Sequence, residues 1–432
     1  MNICMFTNTY LPHVGGVARS VSCFAEDLRK LGHRVLVVAP RFHSQPKEEN
    51  EDHVMRIPAI QNFNGSDFSA SIPSPFLISQ KMDDFSPDII HSHHPYLLGD
   101  AAMRTAGRRS LPIVFTHHTR YEEYAHYVLS SNTMKKFVIS LSTAYANCCT
   151  SVIAPSRSIA ALLKKRGVTQ PVAEIPTGID WDAFQKGEGN RFREQAGIDE
   201  SVRLIGHVGR LAPEKNLGFL AKAVRIYLAQ HDKDKKSRFL VVGEGPEQKR
   251  LKQSFADEGL GDRLILAGKK TGDDLINAYW AMDLFVFSSM SETQGLVVAE
   301  AMAAGTPVIA IDASGVREVL SDNENGRLLP SDASPADFAK AIADWSKDPD
   351  GNVSWKENAL ATARGFDRMK MAEKLSALYE RTLQKQLKPA AEYHTMIGAW
   401  EGLLHGLRTE WDLLSSKVEA IADSIGKEED TG

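Results

Sequence analysis

Twice along this chain, short apolar runs alternate with stretches of helical period, and the second series restarts as if from the beginning. Residues 1–6, 34–39, 89–91, 113–116 and 152–154 read as strands, with a helix over 17–31 stopped at Gly32. The pattern returns at 204–208, 238–242, 264–267, 284–287 and 308–310. Strands that are apolar throughout are buried on both faces, which marks a parallel sheet covered by helices. Two such series predict an α/β chain of two doubly wound domains, whose ligands bind beyond the C-terminal ends of the strands. At 432 residues the chain has room for both and for one further element. The join falls near Pro176-Thr177-Gly178-Ile179-Asp180 and the polar stretch 186–190. That predicts a first domain over 1–178, a second over 179–388 and an extension over 389–432.

Charge excludes little except nucleic acid: a net of −4 offers no basic face for a phosphate backbone. Cys4, Cys23, Cys148 and Cys149 have neither metal-ligand spacing nor a disulfide framework, which suits a reducing cytosol. The chain opens directly in an apolar strand, and no apolar run is long enough to span a bilayer. The expectation is a cytoplasmic protein whose membrane contact is peripheral. In the extension, Ile397, Trp400, Leu404, Leu407, Trp411, Leu414, Val418, Ile421 and Ile425 follow alternating steps of three and four, a heptad seam. Three readings of it stand: packing on its own protein, self-association, and lying on a membrane surface. Its acidic excess opposes the last on anionic lipid.

Two segments carry most of the chemistry. Gly209-Arg210-Leu211-Ala212-Pro213-Glu214-Lys215-Asn216 follows a predicted strand. About eighty residues on, Glu292 and Glu300 stand eight apart in Ser291-Glu292-Thr293-Gln294-Gly295-Leu296-Val297-Val298-Ala299-Glu300. Arg210 and Lys215 supply cations for a diphosphate leaving group, which gains charge as its glycosidic bond breaks. The turn of Thr293, Gln294, Gly295 and Leu296 opens a helix whose free N–H groups suit phosphate. Glu300 is placed for ribose hydroxyls and Glu292 for hydroxyls of a transferred sugar. Gly15 and Gly16 precede the first helix and permit close backbone approach from the opposite domain. Gly243 and Gly245, and Gly268 with Lys269, form strand-end loops suited to a nucleobase. His91-Ser92-His93-His94-Pro95 and His117-His118-Thr119 end two strands, where the cleft belongs. No carboxylate or cysteine completes a metal site there, and His118 reads as a hydrogen-bonding active-site residue.

The G-R-L-x-x-E-K-N segment and the two glutamates, in this order and spacing, resemble the retaining GT-B glycosyltransferases of the large family four, over about residues 1–385. The resemblance implies two Rossmann-like domains facing a cleft, the first for acceptor and the second for a nucleotide sugar, with a helix at about 368–385 crossing back. It implies that Arg210 and Lys215 contact donor phosphate, Glu300 the ribose and Glu292 the donor sugar, with Gly16 near the diphosphate and His118 in the active site. It implies no cofactor and no catalytic metal. Many members have Phe where this chain has Gln294. The T-Q-G form, with H-S-H-H-P and T-H-H-T-R-Y-E-E-Y, is similar to the branch that glucosylates diacylglycerol. His93, His94, Tyr121, Glu122 and Tyr124 would then flank the acceptor, and 134–141 could touch lipid. The expected activity is transfer of a hexose, glucose from UDP-glucose, to a membrane lipid with retention. A soluble sugar acceptor and an inactive nucleotide-sugar-binding scaffold are the alternatives.

Overall fold

The computed structural model describes residues 1–13, 15–42, 52–60, 70–122, 132–347 and 349–384. The heptad extension, Tyr124 and the neighbouring Glu123 lie outside them. The strands are β1 (Asn2–Phe6), β2 (Arg34–Pro40), β3 (Val54–Ile57), β4 (Ala59–Ile60), β5 (Ala70–Ser71), β6 (Ile89–Ser92), β7 (Ile113–Thr116), β8 (Ser151–Ala154) and β9 (Val172–Glu174). The second series is β10 (Arg203–Val208), β11 (Ser237–Val242), β12 (Leu264–Gly268), β13 (Leu284–Phe287), β14 (Val308–Ile311) and β15 (Arg327–Leu329).

They form two parallel sheets, β3-β2-β1-β6-β7-β8-β9 and β12-β11-β10-β13-β14-β15, beside a small antiparallel β4–β5 pair. Both are Rossmann-like: the order runs outward one way from the first strand, then reverses to the other side of it. The central strands are apolar at nearly every position because helices cover both faces, and β6, β7, β8, β13 and β14 are buried at each residue.

The first helix, Gly16–Lys30, buries Ala18, Val21, Phe24, Ala25 and Leu28 against the first sheet. The chain leaves that sheet after β9 and returns at Asp367. The two crossings touch: Ile179 bridges Asp367, and a side chain at Gly178 would lie 2.2 Å from the Arg368 Cα. From there the helix Arg368–Leu383 sinks Met371, Leu375, Leu378 and Tyr379 into the core of the first domain. Arg368 holds the junction through Asp27 at 2.5 Å, Glu26 at 2.8 Å and Asp180 at 3.2 Å.

Among the described residues no helix is long and apolar enough to cross a membrane. The stretch expected to touch lipid lies on the helix Asn132–Cys148, where Phe137 packs on the core and Leu141 is buried. Among the described residues, the large apolar side chains left in solvent are Phe76, Ile72, Ile60, Leu77 and Leu11 on the first domain and Val353 and Met290 on the second.

Candidate active site

In both sheets the strand order reverses beside the first strand, between β1 and β6 and between β10 and β13. Loops leaving such a point diverge and open a crevice at the C-terminal ends of the strands. In the second domain these are the loops 209–216 and 288–295, and serines lace them together. Ser289 and Ser291 hydroxyls donate to the Glu214 carbonyl at 3.4 and 3.3 Å, and Ser288 donates to that of Asn216 at 3.1 Å. Held this way, Lys215 donates to Glu292 Oε1 at 2.5 Å, with the side chains 20% and 16% exposed. Burial pushes the Glu292 carboxyl up, but Lys215, through its charge and its hydrogen bond, outweighs this and leaves it below the usual carboxylate value. Arg210 stands exposed on the same loop. The Glu292 carbonyl accepts from Ser314 Oγ and Gly315 N–H, both at 3.1 Å.

Gly243 and Gly245 back that loop. A Cβ at Gly243 would lie 1.9 Å from the Gly209 carbonyl oxygen, and one at Gly245 would lie 2.3 Å from that of Leu211. Both glycines therefore let two backbones meet beneath the segment that carries Arg210 and Lys215. Lys269 is exposed, with its N–H 3.4 Å from a Glu244 carboxylate oxygen.

Gly295, at φ 72°, starts the helix Leu296–Ala303, and a Cβ there would lie 2.7 Å from the Gly315 carbonyl oxygen. Leu296 is partly buried against the core. Glu300 is 1% exposed; it accepts from the Tyr279 hydroxyl at 2.8 Å and pairs with Arg19 of the first helix. Thr293 Oγ1 donates to the His118 carbonyl at 2.9 Å, while Ser156 Oγ donates to the Thr293 carbonyl at 2.7 Å. Gln294 is buried against the linker, where its carboxamide meets the Thr177 backbone. The loop that carries Glu292 thus touches the first domain at several points.

Across the cleft, Gly15 caps the first helix in extended geometry, and nothing lies within 4 Å of the Cβ position at Gly16. In the same domain a histidine cluster stands at the ends of β6 and β7, buried except for the partly exposed His118. His93 Nδ1 is 2.9 Å from His118 Nε2, and the His91 and His93 rings are 4.0 Å apart. His91 is anchored by the Tyr379 hydroxyl at 2.6 Å and the Thr116 hydroxyl at 2.7 Å. His94 Nδ1 accepts the Asn8 N–H at 3.1 Å. Burial lowers His91 and His94 to about 3; burial and then the Arg166 cation lower His117 to about 4. Burial and neighbouring imidazoles hold His93 and His118 well below the ordinary value. All five are neutral near pH 7, able to hydrogen-bond hydroxyls but unable to attract an anion. Among the described residues, no three His, Cys, Asp or Glu are grouped to hold a metal ion.

Tyr121 packs edge-on against Tyr96 and His117. Glu122 is buried and engaged by Arg166 at 2.5 Å and Arg120 at 3.2 Å, so its carboxylate braces the fold in this structure. Sequence reasoning missed Arg19, Tyr279, Ser156 and Thr177. Arg19 had a signal, standing one helical turn beyond Gly16; the others acquire a role only through the fold.

Residues 14–183 match the family model described as Glycosyltransferase Family 4, and residues 189–362 match Glycosyl transferases group 1. The alpha-monoglucosyldiacylglycerol synthase of Streptococcus pneumoniae is 29% identical over 90% of this chain and 88% of its own. That of Acholeplasma laidlawii is 27% identical over 90% and 99%. A GDP-mannose-dependent alpha-mannosyltransferase of Mycobacterium tuberculosis is 28% identical over 76% and 84%. In fold, the chain is similar to Anabaena Alr3699/HepE, solved with UDP, at TM-score 0.71 and 22% identity over 88% of this chain and 100% of that one. Sucrose-phosphate synthase from Thermosynechococcus elongatus gives TM-score 0.73 and 21% identity over 88% and 98%.

Proposed function

Because the chain belongs to the glycosyltransferases, with a Family 4 domain followed by a group 1 domain in a GT-B fold, we propose that it moves glucose from UDP-glucose to a hydroxyl of a membrane lipid such as diacylglycerol, with retention. The observation that carries the reading is the Lys215–Glu292 pair at the switch point of the second sheet, beside the start of the helix Leu296–Ala303. Lys215 and Arg210 stabilise the charge that grows on the leaving diphosphate. Glu292 orients the sugar hydroxyls, and Glu300 receives the ribose once Arg19 yields it. The amides at Thr293, Gln294, Gly295 and Leu296 face phosphate, Gly15 and Gly16 approach the diphosphate from the other side, and the loops of Gly243, Gly245 and Lys269 take the base. The bond from sugar C1 to the phosphate oxygen breaks as C1 bonds the acceptor oxygen on the same face. The acceptor proton passes to the departing phosphate oxygen, and His118 contacts the sugar.

Support for retention is that the glucosyl and the mannosyl relatives both carry α in their names. Support for a lipid acceptor is the likeness to two diacylglycerol glucosylating enzymes over nearly the whole chain, together with exposed Phe76, Ile72, Ile60 and Leu77. His93, His94 and Tyr121 then line the acceptor side, and the enzyme works at a membrane surface without spanning it.

The test crosses UDP-glucose, UDP-galactose, UDP-GlcNAc and GDP-mannose with diacylglycerol liposomes and with soluble sugars, with and without EDTA. Glucose transfer to liposomes is expected. Transfer from GDP-mannose alone overturns the donor, and transfer to soluble sugars alone overturns the acceptor. If no pair turns over and the protein still binds a nucleotide sugar, the scaffold reading replaces this one.

A further inference from the structure

Gln294 sits between the donor-loop residues Thr293 and Gly295, yet its side chain points away from the cleft. The Thr177 N–H donates to Gln294 Oε1 at 2.8 Å, and Gln294 Nε2 donates to the Thr177 carbonyl at 2.6 Å. Both residues are buried, at 7% and 6% exposure. A carboxamide can donate and accept at once, so it pairs with both backbone groups of one residue as a neighbouring strand would. Thr177 is no ordinary surface partner. It lies next to Gly178 and Ile179, where the outgoing crossing of the chain meets the returning one at Asp367 and Arg368. Its own hydroxyl donates to Ser20 on the first helix at 2.7 Å.

The chain passes between the domains at these two crossings, held side by side, so any turn of one domain on the other is hinged there. Thr293 also touches His118 and Ser156, but those contacts belong to the face of the first domain rather than to the pivot. The Gln294 bonds tie the loop to that crossing.

We propose that Gln294 is a positioning residue that anchors the donor loop to the interdomain pivot at Thr177, so that Glu292 and the start of the helix Leu296–Ala303 keep their places through opening and closing. This rests on the reading of that loop as donor-binding. The Gln294 side chain touches neither donor nor acceptor and acts through Glu292, two residues before it.

The experiment compares wild type with Q294L, which removes both bonds at similar volume, and Q294E, which cannot donate while ionised. Q294L is expected to lower kcat roughly 10-fold or more, with the donor KM little changed, as for a reacting group displaced by a fraction of an ångström. Q294E is expected to show the same loss at about pH 7.5. Relative to wild type it regains activity towards about pH 5.5, because a protonated carboxyl again donates to the Thr177 carbonyl. Hydrogen exchange in Q294L is expected to quicken only around 176–180 and 290–296. Wild-type kcat in Q294L overturns the proposal, as does a loss accompanied by faster exchange throughout the molecule. If wild type turns over no donor, the functional reading fails and exchange alone decides: local quickening upholds the anchor, and unchanged exchange overturns it.

Discussion

The two sheets have the same strand order and opposite electrostatics at the point where that order reverses. In the second domain the crevice holds a charged pair, Lys215 and Glu292, with Arg210 exposed beside it. In the first it holds neutral rings: His91, His93, His94 and His117, all buried, and His118, partly exposed. The second domain also buries a histidine near the end of β10, His207, which is stacked on Phe287 and Phe285 rather than on other imidazoles among the described residues. One topology thus builds a charged crevice and, facing it, a neutral one. The side chains at the strand ends make the difference, as expected where function is grafted on a shared fold.

The largest effect should come from the charged crevice. Lys215→Ala is expected to cut kcat by about 10²-fold or more. His118→Ala, which removes one neutral hydrogen-bonding ring, should cost nearer tenfold. Steady-state kinetics on both variants tests the ranking, and the reverse order would break the contrast.

Acid should then separate the domains. Each imidazole held neutral in the fold, with an unfolded value of 6.5, binds a proton on unfolding once the pH falls below that value. The unfolded state then holds more protons, so stability falls as pH drops from about 6.5 towards the folded values, by about 1.4 kcal/mol per pH unit for each such group. Five lie in the cluster of the first domain, which also holds the lowered His33, and His207 is the counterpart in the second. Segment-resolved hydrogen exchange, expressed as protection factors from about pH 7 to about pH 5, should show the first domain loosening first. Equal loss of protection in both would remove the histidine cluster from the explanation.

The link between domains can be tested at Glu300. Arg19→Met leaves its carboxylate buried beside Tyr279 with no cation, and should cost about 1–3 kcal/mol in urea unfolding. Adding Glu300→Gln should recover most of that. A double variant no better than the single one would mean that the pair contributes nothing across the cleft. Smallest of all, Glu122→Gln should cost about 1 kcal/mol of stability and leave the acceptor KM unchanged. A large rise in acceptor KM would return Glu122 from bracing the fold to contacting the acceptor.

The central strands were legible because burial on both faces writes an unbroken apolar run. Of the edge strands, β12 was legible as the run 264–267, but β3, β9 and β15 were not: they are short and half exposed, so the run is diluted. The loop 209–216 and the glutamates 292 and 300 stood out as a set by their order and spacing, and the fold brings Lys215 to Glu292. What Glu122 does was not legible. Its partner Arg166 lies at the end of the helix Arg157–Lys165, forty-four positions on.

By itself the sequence determined the two parallel-sheet domains and the segments that follow their strands. These follow from local signals: apolar period, a glycine where backbones must meet, a cation just past a strand. Only the tertiary structure decided which side chains face a ligand and which hold the domains together. Glu300 meets Arg19, Thr293 meets His118, and Gln294 meets Thr177 across a sequence separation of 117. Such contacts depend on how two separately folded sheets dock and on where the chain crosses between them. No local pattern encodes that geometry, because the same residue type serves a phosphate or a backbone carbonyl equally well until the fold places one of them within reach.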